Sequence, residues 1–510
     1  MDRKIITIPL AKRIEEQEKN VPGSLYKVII DLNLTYQGGR DGARARVLKL
    51  LDGILGETAA PGNEASQEGI NSAKSEFSDQ YLFGQFTAKT LFALVAQDKK
   101  SNGAAPEATP QASSPERRAQ TAIYLIWPDF AIGARLTKSV STVKADAARL
   151  SFSATGAGIL WAVLDSGIQG DHVHFAMHNN LVPKGPAAHK DFTTIGKSAQ
   201  EKPLEDPYGH GTHVAGIIAG ESKATPGKPI LAISRQQEQG GDPQYQRIND
   251  IEAISGVAPQ CKLLSLRILD EHGEGDASSL IAAIGYIQQL NGDGRHILVH
   301  GVNISAGYPF YPEWFACGQS PVCVEVDRLV QSGVVAVVAA GNTGYAYEQV
   351  FTTQAAGAGS AIAGQPLSIN DPGNAELAIT VGSTHREMPH IYGVSYFSSK
   401  GPTGDGRCKP DLVAPGEKIL SCAAGETRAE RLKNVADAAA GCDYAEDSGT
   451  SMAAPHVSGV IAAFLSIRRE FCGRAEEVKQ IFLSTATDLG RDRYFQGKGL
   501  IDLMRAIQSV

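Results

Sequence analysis

Residues 159–165 read ILWAVLD, an almost unbroken apolar run that ends on an acid. Stretches with helical periodicity, such as SLIAAIGYIQQL (279–290), occur later in the chain. They alternate with four further apolar runs, KLLSLRIL (262–269), ILVHGVNIS (297–305), VVAVVAAGN (334–342) and LAITVGS (377–383). Such runs are typical of parallel strands covered on both faces. Repeated β-α-β units with right-handed crossovers predict an α/β fold with a doubly wound, mostly parallel sheet for residues 137–510.

The bulk properties exclude few classes of protein. The chain has 510 residues, more than one hydrophobic core usually organises, so we expect a large domain and a smaller one. The formal net charge of -7 gives no support for a nucleic-acid partner. No run approaches the ~20 apolar residues of a membrane span, so we expect no membrane partner. The first twenty residues lack the apolar core of a signal peptide, which predicts a cytoplasmic protein and leaves another route of secretion open.

Seven cysteines is a low, odd number for this length and favours a reducing compartment. Two pairs are close enough in sequence to raise the question of a disulfide, Cys317 with Cys323 and Cys422 with Cys442. Free thiols are the alternative for both. The spacing of histidine, cysteine and aspartate predicts no zinc site.

Three glycine-rich segments carry an acid, a base and a hydroxyl group. Asp165 lies in AVLDSGI (162–168), His210 in HGTHVAG (210–216) and Ser451 in GTSMAAPHVSG (449–459). A serine hydroxyl is a poor nucleophile until an adjacent base takes its proton, and a carboxylate orients that base. In an open α/β sheet such groups gather beyond the carboxyl ends of the strands, where Asp165 falls. The pattern predicts covalent acyl transfer, with His213 as the rival base.

With these motifs in the order Asp, His, Ser, the chain resembles the subtilisin-like serine peptidases, or subtilases. FSSKGPT (397–403), KPDLVAPG (409–416) and GKGLIDL (497–503) extend the resemblance. It implies that Ser451 is the nucleophile, His210 the general base and Asp165 the carboxylate that orients it. It also implies that Asn342 is the oxyanion donor and that His213 is structural.

The resemblance further implies a protein or peptide substrate that pairs in an extended form with exposed strand edges. Residues 269–275 and 305–307 match those edges, and residues 339–341 would line the pocket for the residue before the scissile bond. The expected substrate-binding residues are Leu269, Gly273, Gly275, Ser305, Ala306, Gly307, Ala339, Ala340 and Gly341. Asn370 and Asp371 fall where the pocket floor is expected, which leaves the specificity open.

No cofactor is implied for the reaction itself. Many relatives bind a structural calcium ion through an aspartate at the position of His174. An imidazole is a poor ligand for this hard cation, so calcium is doubtful here. Two regions, residues 222–249 and the segment after Asn342, are longer than the family pattern and predict a modified cleft.

The first third of the chain predicts a second, smaller domain. Residues 1–23 are interpreted as an extension and residues 24–136 as a small, ferredoxin-like α/β domain with flexible insertions at 56–68 and 99–120. The pattern resembles the inhibitory propeptide that precedes many subtilases, and an unrelated accessory domain is the alternative. A propeptide predicts a zymogen that cuts itself between about Ile132 and Ala145.

Two hypotheses from different classes remain. The first is an active serine endopeptidase, in which case a degradative enzyme and a narrow processing enzyme are both open. The second is a binding or regulatory protein whose catalytic geometry the insertions have spoiled.

Overall fold

The computed structural model describes residues 5–58, 68–76, 78–100, 121–128, 138–183, 185–194, 200–236, 244–313, 316–350, 359–433 and 441–510. The chain forms two compact units, Met1–Gly133 and Ala134–Val510. Most of the two predicted flexible insertions, at 59–67 and 101–120, lies outside the described residues.

The first unit contains a four-stranded antiparallel sheet with helices. Its strands are β1 (Leu25–Leu32), β2 (Gly69–Ile70), β3 (Tyr81–Thr87) and β4 (Ile123–Pro128). Its helices are α1 (Ile8–Asn20), α2 (Gly39–Thr58), α3 (Ser72–Ser75) and α4 (Ala88–Lys100). The strand order β2-β3-β1-β4, with a helix after β1 and another after β3, is the ferredoxin-like arrangement.

The core of this unit begins before the predicted boundary at residue 24. Alternate residues of β1, from Tyr26 to Leu32, are buried, as the period of two in a strand requires. Leu10 and Ile14 of α1 pack in the same hydrophobic cluster. The described part of segment 1–23 therefore belongs to the core instead of forming a separate extension.

The second unit contains a seven-stranded sheet in which the neighbouring strands are parallel. The strands are β5 (Leu160–Asp165), β6 (Lys190–Asp191), β11 (Lys262–Arg267), β12 (Gly301–Ile304), β13 (Val335–Ala339), β16 (Ile379–His385) and β17 (Leu412–Glu417). Their order in the sheet is β17-β16-β13-β12-β5-β11-β6. The predicted doubly wound sheet is confirmed, with the chain passing to either side of β5.

Helices surround this sheet and connect its strands. They are α5 (Lys138–Thr142), α6 (Ala145–Phe152), α7 (His210–Ile218), α8 (Ala277–Leu290), α9 (Pro321–Gln331), α10 (Pro389–Tyr392), α11 (Gly425–Lys433), α12 (Thr450–Ile467), α13 (Ala475–Thr485), α14 (Arg493–Gln496) and α15 (Leu503–Gln508). Short 3₁₀ turns occur at Val173–Phe175 and Arg469–Phe471.

Helix α12 is the central helix of the second unit. It packs against α7 and against strands β12, β13, β16 and β17. Among the described residues it is the one helix long and apolar enough to cross a membrane, and 83% of that stretch is buried inside the protein. Packing in the core accounts for its apolar sequence.

The two long insertions of the second unit form additional strands. Within or directly beside the first, residues 222–249, lie β7 (Glu221–Lys223), β8 (Ile230–Gln236), β9 (Gln244–Ile251) and β10 (Ala253–Ser255), and the second contains β14 (Tyr345–Val350) and β15 (Gly359–Gly364). Strands β8 and β9 extend the hairpin of β18 (Ile419–Cys422) and β19 (Tyr444–Asp447) into a four-stranded sheet. Helix α11 lies between β18 and β19 along the chain and is called the inserted helix below.

The cysteines of both candidate disulfides are free thiols in the structure. Cys323, Cys422 and Cys442 are buried, and Cys317 is half-buried. Burial raises the pKa of the Cys422 thiol well above its ordinary value, because a thiolate is poorly solvated there.

Candidate active site

Asp165 ends strand β5 and is 1% exposed. Its Oδ1 accepts hydrogen bonds from the Ser166 amide at 2.8 Å and lies 2.8 Å from Nδ1 of His210. Its other oxygen, Oδ2, is buried and has no hydrogen-bond partner among the described residues. An ionised carboxylate in this setting orients the imidazole and favours its charged form.

His210 is the first residue of α7, and its side chain is 19% exposed. Gly209 before it has φ +96°, and a Cβ at that position would collide with the carbonyl oxygen of Ala424. Only glycine therefore allows the backbone to turn into the helix here. Burial opposes the charged imidazole, but the nearby carboxylate of Asp165, followed by Asp447 and Asp206, outweighs it and raises the pKa of His210 to about 9.

Asp206 holds the start of α7, and the sequence analysis missed it. Its Oδ1 accepts from Gly209 N at 2.7 Å and from the Ser166 hydroxyl at 2.8 Å. Its Oδ2 accepts from Thr212 N at 2.8 Å and Oγ1 at 2.6 Å. This buried carboxylate links the loop before His210 to the residue after Asp165. The spacing of an acid four residues before the histidine was the available signal.

Ser451 lies in the first turn of α12 and is connected to strand β12. Its hydroxyl donates to the Ser305 carbonyl at 3.1 Å, and the Ser305 hydroxyl donates to the Ser451 carbonyl at 3.0 Å. Ile304 pairs with Leu164, so Ser305 follows β12 beside the residue that ends β5, Asp165. Adjacent strands lie about 4.8 Å apart, which brings Ser451 to the same edge as Asp165. In this structure the hydroxyl of Ser451 donates its hydrogen bond to Ser305 and not to His210.

A chain of buried hydrogen bonds reinforces the connection between Ser451 and strand β12. The Asn303 amide donates to the Ser305 hydroxyl at 2.8 Å, and Ser458 of α12 donates to the amide oxygen of Asn303 at 2.9 Å. An asparagine in the middle of an apolar strand was the sequence signal for this support. The helix that carries Ser451 is thereby bound to the strand beside Asp165.

Asn342 follows β13 and faces the start of α12. Its Oδ1 accepts from the amide of Thr450 at 2.9 Å and from its hydroxyl at 3.0 Å. Since these bonds fix the oxygen, Nδ2 remains as the donor, and it lies beside Gly449 at the beginning of the helix. An amide donor in such a position is chemically able to stabilise negative charge on a nearby oxygen.

His213 has a different environment, although it lies one turn after His210. It is buried, and its Nε2 is 3.1 Å from the carbonyl oxygen of Ala445. Burial lowers the pKa of His213 to about 4. The ring packs α7 against β19 in a neutral form, as the structural interpretation of this residue predicts.

The predicted substrate edges differ from the expectation in two places. Residues Leu269–Gly275 form a tight turn and no strand, because Asp270 N bonds to Glu274 O at 2.8 Å and Gly273 N to Asp270 O at 3.3 Å. Gly273, at φ +76°, lies against the ring of Tyr208. Ala340 is buried, and its amide and carbonyl bond to Val381 and Asn370. Ala340 therefore supports the pocket wall and has no free main-chain group for a substrate.

The other predicted pocket residues surround the ends of β12 and β13, next to Ser451. They are Ser305, Ala306 and Gly307 on one side and Ala339 and Gly341 on the other. Asn370 lies against Gly341, since a Cβ at Gly341 would be 2.7 Å from its Cγ. Its Oδ1 accepts from the Thr343 hydroxyl at 3.2 Å, which directs a polar amide toward the wall formed by 339–341.

The position of the expected calcium ligand contains an aromatic cluster. His174 is 1% exposed, with Nε2 3.3 Å from Gly216 O and Nδ1 3.3 Å from the Tyr444 hydroxyl. The rings of His172 and Phe175 complete the cluster. Burial, followed by the charge of His172, lowers the pKa of His174 to about 3. This donor set does not fit calcium, which prefers oxygen ligands. The described residues contain no group of three or more histidine, cysteine or acidic side chains arranged to hold a metal ion.

Residues 156–499 match the model of the Subtilase family. Pyrolysin of Pyrococcus furiosus is 29% identical over 341 residues, which cover 59% of this chain and 21% of pyrolysin. Subtilisin E of Bacillus subtilis is 28% identical over 369 residues, covering 72% of this chain and 70% of subtilisin E. Serine protease AprX of Bacillus subtilis is 27% identical over 349 residues, covering 66% and 63% of the two chains. The matched part thus spans about a fifth of pyrolysin and about two thirds of the two Bacillus proteins.

Proposed function

Because this chain belongs to the subtilase family, we propose that it is a serine endopeptidase in which Ser451, His210 and Asp165 act together. The observation that carries the proposal is the 2.8 Å contact between His210 and Asp165 at the edge of the sheet where α12 delivers Ser451. The reaction would require no cofactor.

In the proposed acylation step the hydroxyl of Ser451 turns from the Ser305 carbonyl toward Nε2 of His210. Catalytic hydrogen bonds are often incomplete before substrate binds. His210 takes the proton while Oγ forms a bond to the carbonyl carbon of the scissile peptide. Asn342 Nδ2 and the Ser451 amide would hold the developing oxyanion. His210 then gives the proton to the leaving amine, and water hydrolyses the acyl-enzyme in a second round.

The positive charge of His210 in the resting protein is part of this proposal. With a pKa of about 9, most of the imidazole is protonated at pH 7 and has no lone pair to accept the serine proton. Activity therefore requires the neutral fraction, which increases as the pH rises.

A fluorophosphonate probe tests the proposed function directly. We expect covalent labelling of Ser451, located by peptide mass spectrometry, and no labelling in Ser451→Ala. Ser466, at the far end of the same helix, is a matched control, because Ser466→Ala removes a hydroxyl that has no contact with the nucleophile. A folded protein that is not labelled at any pH from 6 to 10 would favour a binding or regulatory protein.

We also propose that the first unit is an inhibitory propeptide and that the chain is made as a zymogen. Its ferredoxin-like strand order supports this interpretation. Of the predicted cut region, Lys138–Thr142 is helical, with Ser139 and Val140 buried. A peptidase needs an extended substrate, so we expect the cut before Lys138, among residues outside the described ranges. The time-dependent cut should disappear in Ser451→Ala, and its persistence there would contradict self-processing.

For the substrate we propose a preference for small or polar residues before the scissile bond. The Asn370 amide lies beside Gly341, where it would narrow the pocket and present a polar Nδ2 that a large apolar side chain cannot pair with. Cleavage of a peptide library tests this preference, and Asn370→Gly should favour Phe or Leu at that position by roughly tenfold. An unchanged cleavage profile would show that Asn370 does not line the pocket.

The seven free cysteines support a reducing, cytoplasmic location as a further proposal, which fractionation of cells would test.

A further inference from the structure

The inserted helix, Gly425–Lys433, is bonded to the loop that leads into His210. Glu426 N donates to Pro207 O at 2.7 Å, and Thr427 N donates to Tyr208 O at 3.2 Å. A Cβ at Gly209 would also meet the Thr427 hydroxyl. The start of the inserted helix therefore restrains the backbone immediately before the imidazole.

The far end of the same helix binds the strand that leads to Ser451. Arg431 donates from Nη2 to Asp447 Oδ2 at 2.8 Å, and the two side chains are 13% and 29% exposed. Asp447 ends β19, whose Ala445 carbonyl lies 3.1 Å from His213 Nε2 on α7. One short helix thus connects the loop before His210 with the carboxylate that ends the neighbouring strand.

Several titratable groups face His210 from the elements packed around it. They are Asp165 from β5, Asp206 and Tyr208 from the preceding loop, His213 from the same helix and Asp447 from β19, the last paired with Arg431 of the inserted helix. Asp165 and Asp206 are buried and held by several hydrogen bonds. Asp447 differs from them, because one removable cation, Arg431, neutralises part of its charge.

We propose that the inserted helix is a positioning element for the general base, in which Asp447 acts as a second carboxylate on His210 and Arg431 limits its effect. This inference rests on the proposed function, since it concerns the base of that reaction. Asp447 touches no reacting atom and is a positioning residue. The electrostatics agree: after Asp165, Asp447 is the next carboxylate that raises the pKa of His210, and Arg431 keeps the pKa of Asp447 itself low against the opposing effect of burial.

The arrangement predicts opposite shifts from the two partners. Asp447→Asn removes a negative charge at constant shape, so the titration midpoint of His210 should fall by roughly half to one pH unit. Arg431→Gln leaves Asp447 without its cation, so the midpoint should rise by about half a unit. The double variant should follow Asp447→Asn, because Arg431 acts through the carboxylate.

The experiment is an NMR titration of the His210 ring in the full chain carrying Ser451→Ala, which cannot digest itself. The resonance is assigned by its loss in His210→Gln. Arg428→Gln is the matched control, since Arg428 lies one turn earlier and pairs with Asp443 at 3.2 Å instead. Its midpoint should stay within about 0.2 units of the parent. Circular dichroism establishes that each variant is folded.

A folded Asp447→Asn protein with an unmoved midpoint would overturn the inference, and so would a fall of the midpoint in Arg431→Gln. The same substitutions in the protein with Ser451 intact should move the pH dependence of fluorophosphonate labelling in the same directions. Absence of labelling in the unmodified protein would refute the proposed function alone, because the ring titration does not require activity.

Discussion

An imidazole lies at each end of helix α7, and the pKa values of the two are shifted in opposite directions. His210 begins the helix beside Asp165, and its pKa rises to about 9. His174 lies against the Gly216 carbonyl near the last turn, among aromatic rings, and its pKa falls to about 3. The helix dipole alone would favour the reverse, since it disfavours a cation at the N-terminus and favours one at the C-terminus.

The difference teaches which effect is larger. A partial charge of about half a unit at a helix end is outweighed by a full carboxylate in hydrogen-bond contact at one site and by complete burial at the other. The imidazole beside a carboxylate is suited to accept and return protons. The imidazole inside the aromatic cluster can only stay neutral and pack.

The largest expected difference between the two sites is the loss of kcat when the hydrogen-bond partner of each imidazole is removed. Asp165→Asn replaces an acceptor by an amide that can hold the wrong tautomer of His210, so kcat should fall by about 10⁴-fold. Tyr444→Phe removes the hydroxyl next to His174 and should leave kcat within about twofold, at a cost of about 1 kcal/mol in stability. Peptide hydrolysis and urea unfolding measure the two effects. Similar losses of kcat in both variants would contradict the separation of roles.

The pH dependence of kcat/KM sharpens the comparison further. The base must be neutral, and a pKa of about 9 leaves little neutral His210 at pH 7. Thus kcat/KM should rise at least roughly tenfold between pH 7 and pH 9. Tyr444→Phe is the control and should keep the same midpoint. A plateau already reached at pH 7 would show that the field of the carboxylates is weaker than the geometry indicates.

The aromatic cluster around His174 should make the free energy of unfolding depend on pH in the acid range. A folded pKa of about 3 lies below the unfolded value near 6.5, so its stabilisation is complete above pH 6.5 and is lost as the pH falls toward 3. At pH 5 the loss from His174 amounts to about 2 kcal/mol. In the Ser451→Ala background, His174→Gln should lack this part of the acid dependence of the unfolding free energy. Equal pH slopes with and without the substitution would exclude His174 as their source.

The smallest expected effect is that of a chelator. Because hydrogen-bonded rings fill the position where relatives bind calcium, EDTA should move the thermal midpoint by less than about 1 °C. Magnesium-saturated EDTA serves as the control for ionic strength. A drop of several degrees that added calcium restores would place a calcium ion elsewhere in the protein.

The sequence predicted the sheet and the place of the candidate site because both depend on strong, local patterns. Apolar runs on both faces indicate parallel strands, and the ends of those strands hold Asp165, Ser305 and Asn342. The turn at 269–275 was missed because the family resemblance assigned this segment to a strand edge, although Asp270, Gly273 and Gly275 are residue types that favour turns. Asp206 was missed because its one signal, an acid four residues before a histidine, is too short to indicate a carboxylate that holds a loop.

Other differences come from packing, which one sequence does not encode locally. The burial of Ala340 depends on Asn370, thirty positions later in a separate loop. Helix α1 joined the first core because Leu10 and Ile14 form a narrow apolar stripe on an otherwise charged segment. The role of the inserted helix could only emerge once the ends of α11 were seen to meet two distant parts of the chain.

The four-stranded sheet joins two loops that are far apart in sequence, the first long insertion and the loop between β18 and β19 that contains the inserted helix, since β8 pairs with β19 through Ala232 and Ile233. Shortening either loop on its own would strip main-chain partners from the other and loosen the last strand before Ser451. A change in the length of one of these loops, in evolution or in engineering, therefore requires a matching change in the other.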